Sequence, residues 1–262
     1  MKFGVSVPNV GDPAGLVDLA VSVERAGWDG FFLWDHLQLD AARPQTHDPW
    51  VLLGAIAMRT SRVRLGTLVT PVPRRRPWKL AKEIVTLDHL SGGRAILGVG
   101  LGVPRELEYE AFGESGRARV HAAKLDEALP LLDAFLRGDP VDHAGEHYRV
   151  RAHLNPPALQ RPRPPIWVAA TLPYKRPLER ARRWDGIFPL ASPVGALSAP
   201  ELVDLVAELK PPDGYDVVTM LTPQVSVDQL AEAGATWAIE GPMGPGEPFD
   251  ELRERILAGP PT

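Results

Sequence analysis

Residues 63–100 read VRLGTLVTPVPRRRPWKLAKEIVTLDHLSGGRAILGVG, and the order of patterns in this stretch decides the fold. An apolar run over 63–70 is followed by amphipathic helical spacing that starts at Pro77 and stops at Gly92. A second apolar run covers 95–100. Continuous apolar runs are typical of parallel strands buried on both faces, and two parallel strands need a crossover helix between them. The stretch therefore predicts a strand–helix–strand unit with parallel strands.

The same unit repeats along the rest of the chain. Further apolar runs lie at 2–7, 30–35, 165–170, 186–191, 216–221 and 236–240. Helical patterns lie at 15–27, 47–60, 175–184, 198–210, 226–234 and 249–259. Eight such units in 262 residues predict a (β/α)8 TIM barrel, a fold whose typical length is roughly 250 residues. An open doubly wound sheet is the alternative, but it usually needs fewer strands in a chain of this length.

One segment interrupts the alternation between the fourth and fifth strands. It contains a helical pattern over 118–138, a hairpin-like stretch over 141–150 and a proline-rich connector over 155–166. A long insertion after a barrel strand normally covers the catalytic mouth. We therefore expect a single barrel domain over 1–262, with an insertion at about 104–164.

The composition argues against several classes of function. The net charge of −4 provides no footprint for nucleic acid or a membrane surface, and the arginine run 74–76 is too short to change this. The chain has no cysteine, which excludes disulfides, thiolate metal sites and cysteine nucleophiles and fits a cytoplasmic protein. We expect neither a signal peptide nor an apolar run of the ~20 residues that span a bilayer.

Asp35 and His36 lie together at the end of the second predicted strand. In a TIM barrel every strand ends at the face that carries the active site, so both residues would reach the mouth. A histidine there can transfer a proton or hydrogen-bond to a ligand, because its ordinary pKa lies near neutrality. The alternative is that Asp35 only orients the loop and that His36 is merely partly exposed. We take both as catalytic candidates.

The other strand ends carry small, apolar and hydroxyl groups, namely Asn9, Thr70, Gly100, Leu101 and Thr171. Such a mouth lacks the cluster of acids and histidines that a metal-dependent hydrolase needs, and we expect no metal site. His143 and His147 have ligand-like spacing but fall in a glycine-containing hairpin. Asp35 and Glu240 are the only acids placed for glycoside hydrolysis. This mouth suits a cofactor that brings its own reactivity.

Two stretches could hold such a cofactor. The glycines of GVGLGVP (98–104) would allow the backbone to approach a flat ring, although their spacing does not match a dinucleotide fingerprint. The stretch AATLPYKRP (169–177) leads from a strand into a helix. Its backbone N–H groups, with Lys175 and Arg176, could bind a phosphate. The alternative is that both side chains belong to an ordinary solvated first turn.

Four stretches, in order along the chain, resemble the bacterial luciferase-like family of flavin-dependent oxidoreductases, which includes relatives that use the deazaflavin coenzyme F420. They are AGWDGFFLWDHL (26–37), residues 65–102 of the opening region, EHYRVRAHLNPPALQRPRPPIWVAA (146–170) and RRWDGIFPL (182–190). The resemblance implies a TIM barrel with reduced flavin mononucleotide (FMN) or reduced F420 across the strand ends.

The resemblance also implies roles for particular residues. It places His36 beside the redox ring, a cis peptide between Leu68 and Val69 behind it, and the phosphate near Thr171 to Lys175. The expected cofactor contacts are Asn9, Leu68, Val69, Thr70, Gly98, Gly100, Leu101, Thr171, Tyr174 and Lys175. Two departures from the family stand out: AATLPYK replaces a glycine-rich turn, and Leu101 stands where some F420-dependent dehydrogenases have glutamate. The second departure argues against sugar-phosphate chemistry.

The leading hypothesis is a flavin- or F420-dependent oxidoreductase that either monooxygenates a small organic substrate or passes a hydride to it. Apolar residues such as Trp34, Leu101 and Trp50 would keep water away from the reaction. One alternative is a non-catalytic flavin-binding protein, and another is a flavin-free barrel isomerase or hydrolase. The family also implies a homodimer, and the apolar stretches on the second and third helices are compatible with one.

Overall fold

Eight parallel strands close into a barrel in the computed structural model, which describes residues 1–39, 45–192, 195–242, 247 and 249–261. Around the ring the strand order is β1-β10-β9-β8-β7-β4-β3-β2. The barrel strands are β1 (Lys2–Val7), β2 (Gly30–Leu33), β3 (Arg64–Pro71), β4 (Ala95–Gly100), β7 (Ile166–Leu172), β8 (Gly186–Ala191), β9 (Asp216–Met220) and β10 (Trp237–Glu240). The predicted (β/α)8 barrel is thus confirmed, and the open-sheet alternative was wrong.

Helices lie outside the barrel, and all but the last connect one barrel strand to the next. They are α1 (Pro13–Arg25), α2 (Pro49–Arg59), α3 (Pro77–Ser91), α6 (Lys175–Ala181), α7 (Ala199–Leu209), α8 (Val227–Glu232) and α9 (Phe249–Ala258). Asp12 and Asp48 cap α1 and α2 by accepting hydrogen bonds from Gly15 N (2.8 Å) and Val51 N (2.9 Å), which satisfies otherwise orphaned donors. Within the described ranges, no helix is long and apolar enough to cross a membrane.

The segment between β4 and β7 contains α4 (Arg105–Glu108), α5 (Ala118–Arg137) and an antiparallel hairpin of β5 (Val141–Ala144) and β6 (Arg149–Ala152). Single 3-10 turns cover Val72–Arg74 before α3 and Glu110–Phe112 after α4. Glu127 on α5 fixes the hairpin, because its carboxylate accepts hydrogen bonds from His143 Nε2 (2.8 Å), His147 N (2.9 Å) and Tyr148 N (2.8 Å).

Several predicted boundaries differ from the structure by one to three residues, and backbone hydrogen bonds explain two of them. The second strand ends at Leu33 rather than residue 35, because the chain leaves the sheet after Trp34 N bonds to Val7 O (2.9 Å). The helix predicted over 175–184 ends at Ala181. At that point the backbone hydrogen bonds join residues three apart instead of four, as in Trp184 N donating to Ala181 O (3.1 Å). This turn leads directly into β8.

Aromatic side chains fill the N-terminal end of the barrel. Phe32, Trp167 and Trp237 have ring centroids 5.2–6.1 Å apart, and each residue is at most 1% exposed. Both indole N–H groups donate to Asp216, at 3.0 and 3.1 Å. A Cβ on Gly30 would lie 2.8 Å from the Phe32 ring, so only glycine leaves the room this cluster needs. The barrel interior is therefore closed at this end.

The other end of the interior is accessible. Above the aromatic cluster lie Val69, Ala169, Leu190 and Met220, which pack on it but remain partly exposed. All four lie at or near the carboxyl ends of their strands. This is the end of a TIM barrel at which active sites form.

Candidate active site

Asp35 follows β2 and lies in a buried ion-pair network. Asp35 is 3% exposed, and its carboxylate accepts hydrogen bonds from Arg74 Nη2 (2.7 Å) and Arg75 Nη2 (2.8 and 2.9 Å). Both arginine side chains are themselves largely buried, at 7% and 16% exposure. Since guanidinium groups occupy both carboxylate oxygens, the geometry gives Asp35 a positioning role rather than a role in proton transfer.

Glu108, at the end of α4, joins this network from the insertion. Its side chain is fully buried, and Oε1 lies 3.0 Å from His36 Nδ1. The same carboxylate accepts hydrogen bonds from Leu37 N (3.1 Å) and Gln38 N (3.2 Å), and it pairs with Arg74. This residue was not predicted from the sequence. Acidic residues recur at 106, 108, 110 and 114, and nothing in the pattern distinguishes the buried one.

His36 is held from three sides at the carboxyl rim. Asn9 Nδ2 donates to His36 O (2.9 Å) and to His47 O (2.7 Å), while Asn9 Oδ1 accepts from His36 N (3.3 Å). The ring meets the Trp34 ring edge-on, at 5.8 Å between centroids. Both amide hydrogens of Asn9 are thus bound to the backbone, so Asn9 can offer a cofactor no donor.

The electrostatic surroundings keep His36 neutral. Burial and then the positive charge of Arg74 lower the pKa of His36 to about 4, against a weaker opposing effect of Asp35. His36 Nδ1 lies 3.0 Å from Oε1 of Glu108, and because an ionised carboxylate can only accept a hydrogen bond, Nδ1 is the nitrogen that should carry the ring hydrogen. Within the described part of the chain no residue hydrogen-bonds to Nε2. At neutral pH His36 therefore presents an unprotonated Nε2 that can accept a proton.

The predicted cofactor residues on β3 and β4 lie together. The Leu68–Val69 peptide is cis, as the family resemblance implied. Thr70 Oγ1 is buried and lies 2.6 Å from Thr67 Oγ1. A Cβ on Gly98 would lie 2.4 Å from Thr67 O, and one on Gly100 would lie 2.7 Å from Val69 Cγ2.

These two distances correct the interpretation of the glycine alternation. From the sequence, the alternation was interpreted as allowing the close approach of a flat ring. In the structure, atoms of β3 occupy the space beside both glycines, at the point where the register between β3 and β4 shifts. Gly98 and Gly100 therefore make room for β3.

The remaining predicted residues complete one arc of the rim. Strands β2, β3, β4 and β7 are consecutive neighbours in the ring, so the loops that follow them lie side by side. Leu101 follows β4 and is partly exposed, and its carbonyl accepts a hydrogen bond from Tyr109 OH (2.6 Å). Thr171 is partly exposed near the end of β7, while Tyr174 (60% exposed) and Lys175 are exposed at the start of α6.

Other side chains named from the sequence lie elsewhere. Trp50 packs in the core between the helices and the barrel and so does not line the mouth. Burial raises the pKa of Glu240, whose carboxylate pairs with Arg255 at 3.1 Å. Because Asp35 and Glu240 both face arginines, they do not form the acid pair that glycoside hydrolysis needs. Among the described residues, no group of three acids, histidines or cysteines could bind a metal ion.

One buried polar atom in the barrel indicates room for a ligand. Ser6 is 2% exposed, and its Oγ has no hydrogen-bond partner within the described ranges. Ser6 lies beside Phe32 in the β1–β2 register and two residues from Gly4, whose missing Cβ would touch Phe32. Its side chain therefore points inward, because alternate residues of a strand share a face. Buried hydroxyls normally have partners, so a polar ligand edge fits here.

The comparisons with known proteins agree with this geometry. The luciferase-like monooxygenase family model matches residues 1–255. An F420-dependent glucose-6-phosphate dehydrogenase of Nakamurella multipartita is 38% identical over 151 residues, covering 52% of this chain and 41% of that protein. The Nocardia farcinica enzyme of the same name is 38% identical over 153 residues, covering 57% and 45%. The chain thus spans less than half the length of these curated relatives.

Solved structures share the fold at low sequence identity. The F420-dependent tetrahydromethanopterin reductase of Methanopyrus kandleri has a TM-score of 0.76 and 18% identity, covering 98% of this chain and 96% of that one. A long-chain alkane monooxygenase has a TM-score of 0.70 and 19% identity, covering 88% and 67%. The resemblance inferred from the sequence is therefore confirmed, and the chain belongs to the luciferase-like monooxygenase family.

Proposed function

We propose that this chain is an oxidoreductase that binds reduced F420 or FMN at the carboxyl rim and acts on a small organic substrate. The observation that carries the proposal is the neutral His36, which is held at the mouth of an apolar, accessible barrel interior. When bound, the coenzyme would supply the redox chemistry that no side chain here can supply. Named relatives at 38% identity favour F420 over FMN.

The protein's own residues take four roles in this proposal. Val69, Ala169, Leu190 and Met220 would pack against a ring, and the Ser6 hydroxyl would hydrogen-bond to its polar edge. With the oxidised coenzyme bound, the unprotonated His36 Nε2 would take the proton of a substrate hydroxyl while the hydride passes to the coenzyme. In the reverse direction, with the reduced coenzyme bound, the protonated imidazole would give that proton back to the carbonyl oxygen. Lys175 and Arg176 are exposed beside the expected phosphate position and would contribute positive charge. Asp35 would act on His36 only through the arginines.

The rim favours an uncharged, apolar substrate. Large apolar side chains are exposed on the loops or turns that follow β2, β4 and β7, namely Leu37 (44%), Val103 (48%) and Tyr174 (60%). Exposed apolar side chains gathered around a pocket mark a ligand-binding surface. Although curated relatives are named glucose-6-phosphate dehydrogenases, Leu101 and these side chains argue against a sugar phosphate here. The same apolar rim would also exclude water, which is the reason to keep monooxygenation as the second candidate reaction.

Cofactor binding is the experiment that tests the proposal. The purified protein is titrated separately with F420 and FMN, and fluorescence quenching gives the Kd for each. We expect saturable binding of at least one. A Ser6→Ala variant should bind it several-fold more weakly, and an exposed-site Ser226→Ala variant serves as the matched control. Binding of neither coenzyme would contradict the proposal and favour a flavin-free isomerase or hydrolase. Binding without turnover of any acceptor would favour a non-catalytic flavin-binding protein.

The choice of reaction needs a separate measurement. The loaded protein is mixed with a panel of uncharged alcohols, ketones and alkanes, and coenzyme absorbance and dissolved oxygen are followed together. Hydride transfer changes the absorbance without oxygen uptake, whereas monooxygenation consumes oxygen in proportion to substrate. We expect the first result. Turnover confined to sugar phosphates would overturn the assignment of an apolar substrate.

We also propose a homodimer through α2. This helix exposes Val51 (73%), Ala55 and Met58 (68%) on its outer face, and Leu90 of α3 (44%) lies beside Gly54. A helix that is apolar on all sides is normally buried, and most homo-oligomers are twofold dimers that use the same face twice. We expect a dimer in size-exclusion chromatography with light scattering, and a monomer for Met58→Asp. A dimer that persists in Met58→Asp, while Val203→Asp on α7 also leaves it intact, would exclude this face.

We do not propose a nucleic acid or a membrane as a partner of this protein. The net charge of −4 supports this, because such partners bind basic surfaces. The absence of cysteine supports a cytoplasmic location. Fractionation of cells that express the protein would test the location.

A further inference from the structure

The insertion reaches the barrel mouth through one carboxylate. Glu108 is fully buried and has four neighbours within hydrogen-bonding contact: the His36 ring, the backbone N–H groups of Leu37 and Gln38, and the Arg74 guanidinium. The guanidinium and the two backbone groups can only donate. A carboxylate surrounded in this way has a fixed orientation, because any rotation would break at least one of these hydrogen bonds.

We propose that Glu108 is a positioning residue that fixes His36 as the tautomer with the proton on Nδ1. The assignment follows from the 3.0 Å contact between His36 Nδ1 and a carboxylate oxygen that offers no proton. It leaves Nε2 as the acceptor nitrogen. The contribution of this tautomer to turnover rests on the proposed function, whereas the existence of the tautomer does not.

The neighbouring acid cannot replace Glu108 in this role. Asp35 precedes His36 in the chain, but both of its oxygens are bound by Arg74 and Arg75. Arg74 bridges the two acids, since it also contacts Glu108. Two buried arginines and two buried acids balance in charge, and Glu83 pairs with the outer side of Arg75 at 3.1 Å. Asp35 therefore fixes the arginines, and among the described acids Glu108 is the one that contacts the imidazole.

Glu108 also joins the ring orientation to the shape of the loop. Its hydrogen bonds to Leu37 N and Gln38 N fix the backbone immediately after His36, and Asn9 fixes the backbone at His36 itself. Both the ring and the main chain of this segment are therefore fixed by residues from other elements of the barrel. A change at Glu108 should alter the imidazole without displacing the loop, provided that a hydrogen-bond acceptor remains.

The test is the protonation pattern of the His36 ring in Glu108→Gln. In Glu108→Gln the carbonyl should take the Oε2 position, where it accepts from the Arg74 guanidinium and from Leu37 N (3.2 Å), because an amide N–H₂ facing that cation would cost more than the hydrogen bond lost from Gln38 N. The amide N–H₂ then faces His36, so the ring must accept at Nδ1 and carry its proton on Nε2. Nitrogen-15 NMR of histidine-labelled protein at pH 7 distinguishes the two tautomers, with the His36 signals assigned by their loss in His36→Ala. Glu106→Gln removes an exposed acid from the same helix and is the matched control.

We expect the Nδ1–H tautomer in the wild type and in Glu106→Gln, and the Nε2–H tautomer in Glu108→Gln. A wild-type ring protonated on Nε2 would overturn the inference, and so would an unchanged tautomer in Glu108→Gln. If Glu108→Gln does not fold, the wild-type spectrum decides. This measurement needs no coenzyme, so a failure of the proposed function leaves the result interpretable.

Kinetics then separate positioning from a merely structural role. In the loaded enzyme, Glu108→Gln should lower kcat about 100-fold or more, the range lost when a proton-transfer group is disabled. The Kd for the coenzyme should change less than threefold, because no proposed coenzyme contact is removed. Equal losses in kcat and in coenzyme binding would indicate a structural role and contradict the assignment.

Discussion

Two histidines of this protein contact a glutamate in nearly the same way. His36 Nδ1 lies 3.0 Å from Glu108, and His143 Nε2 lies 2.8 Å from Glu127. Each glutamate comes from the insertion, and each also accepts hydrogen bonds from two consecutive backbone N–H groups. At the level of hydrogen bonds the two arrangements are the same motif.

The surroundings separate them. Glu108 is fully buried and pairs with Arg74, whereas the Glu127 side chain is 14% exposed and the structure shows no arginine paired with it in the described residues. His36 lies at the carboxyl rim of the barrel, whereas His143 lies on a two-stranded hairpin outside it. A histidine–glutamate contact alone therefore does not indicate catalysis. Burial, a neighbouring cation and a position at the barrel mouth are the features that suit the His36–Glu108 pair, and not the other, to acid–base chemistry.

The largest expected effect contrasts the two histidines directly. His36→Ala should lower kcat by about 100- to 10,000-fold, the contribution of a positioned acid–base group. His143→Ala should leave kcat within about twofold, since the described contact of His143 is with Glu127 of α5 and not with a residue of the rim. Coenzyme Kd should stay within threefold for both variants. Steady-state kinetics with the substrate identified from the panel gives the comparison, and equal losses in the two variants would remove the distinction.

The second effect concerns stability against pH. The pKa of His36 is about 4 in the folded protein, below the value of ~6.5 in an unfolded chain. Between these values the unfolded state binds more protons, so His36 stabilises the fold above pH ~6.5 and this contribution is lost as the pH falls toward 4. The loss should amount to about 3 kcal/mol.

Urea unfolding at pH 7 and pH 4.5 measures this effect. The fall in the free energy of unfolding should be smaller in His36→Gln than in the wild type. If the fall in His36→Gln is as large as in the wild type, the depressed pKa of His36 is wrong.

The smallest effect is expected at the hairpin. Glu127→Gln keeps one acceptor oxygen but loses charge-assisted hydrogen bonds, so the free energy of unfolding should fall by on the order of 1 kcal/mol. The kcat should not change. Chemical denaturation and steady-state kinetics of Glu127→Gln, measured beside Glu108→Gln, sharpen the comparison. A large kcat loss in Glu127→Gln would show that the hairpin acts on the site after all.

The architecture could be predicted from the sequence because each barrel strand appears as a local run of apolar residues. The apolar runs at 2–7, 95–100 and 186–191 match the observed strands residue for residue. Their number and the helices between them are enough to predict closure. Asp35 and His36 could be placed at the rim for the same reason, since a residue that follows a barrel strand reaches the mouth.

The rest of the site depends on contacts that no local pattern encodes. Glu108 meets His36 across 72 positions of sequence, and its neighbours at 106 and 110 are equally acidic. Gly98 and Gly100 look like a ligand loop, but the atoms they accommodate belong to β3 across a register shift. Asn9 could be placed at a strand end, whereas its partners His36 and His47 lie 27 and 38 positions away.

The aromatic cluster of Phe32, Trp167 and Trp237 has a kinetic consequence. Since these rings close one end of the barrel, every molecule that binds inside must enter and leave through the carboxyl end. If the proposed function holds, whichever of coenzyme and substrate binds deeper would have to arrive first and depart last. Turnover would then follow a compulsory order of addition, because the outer molecule would block the exit of the inner one.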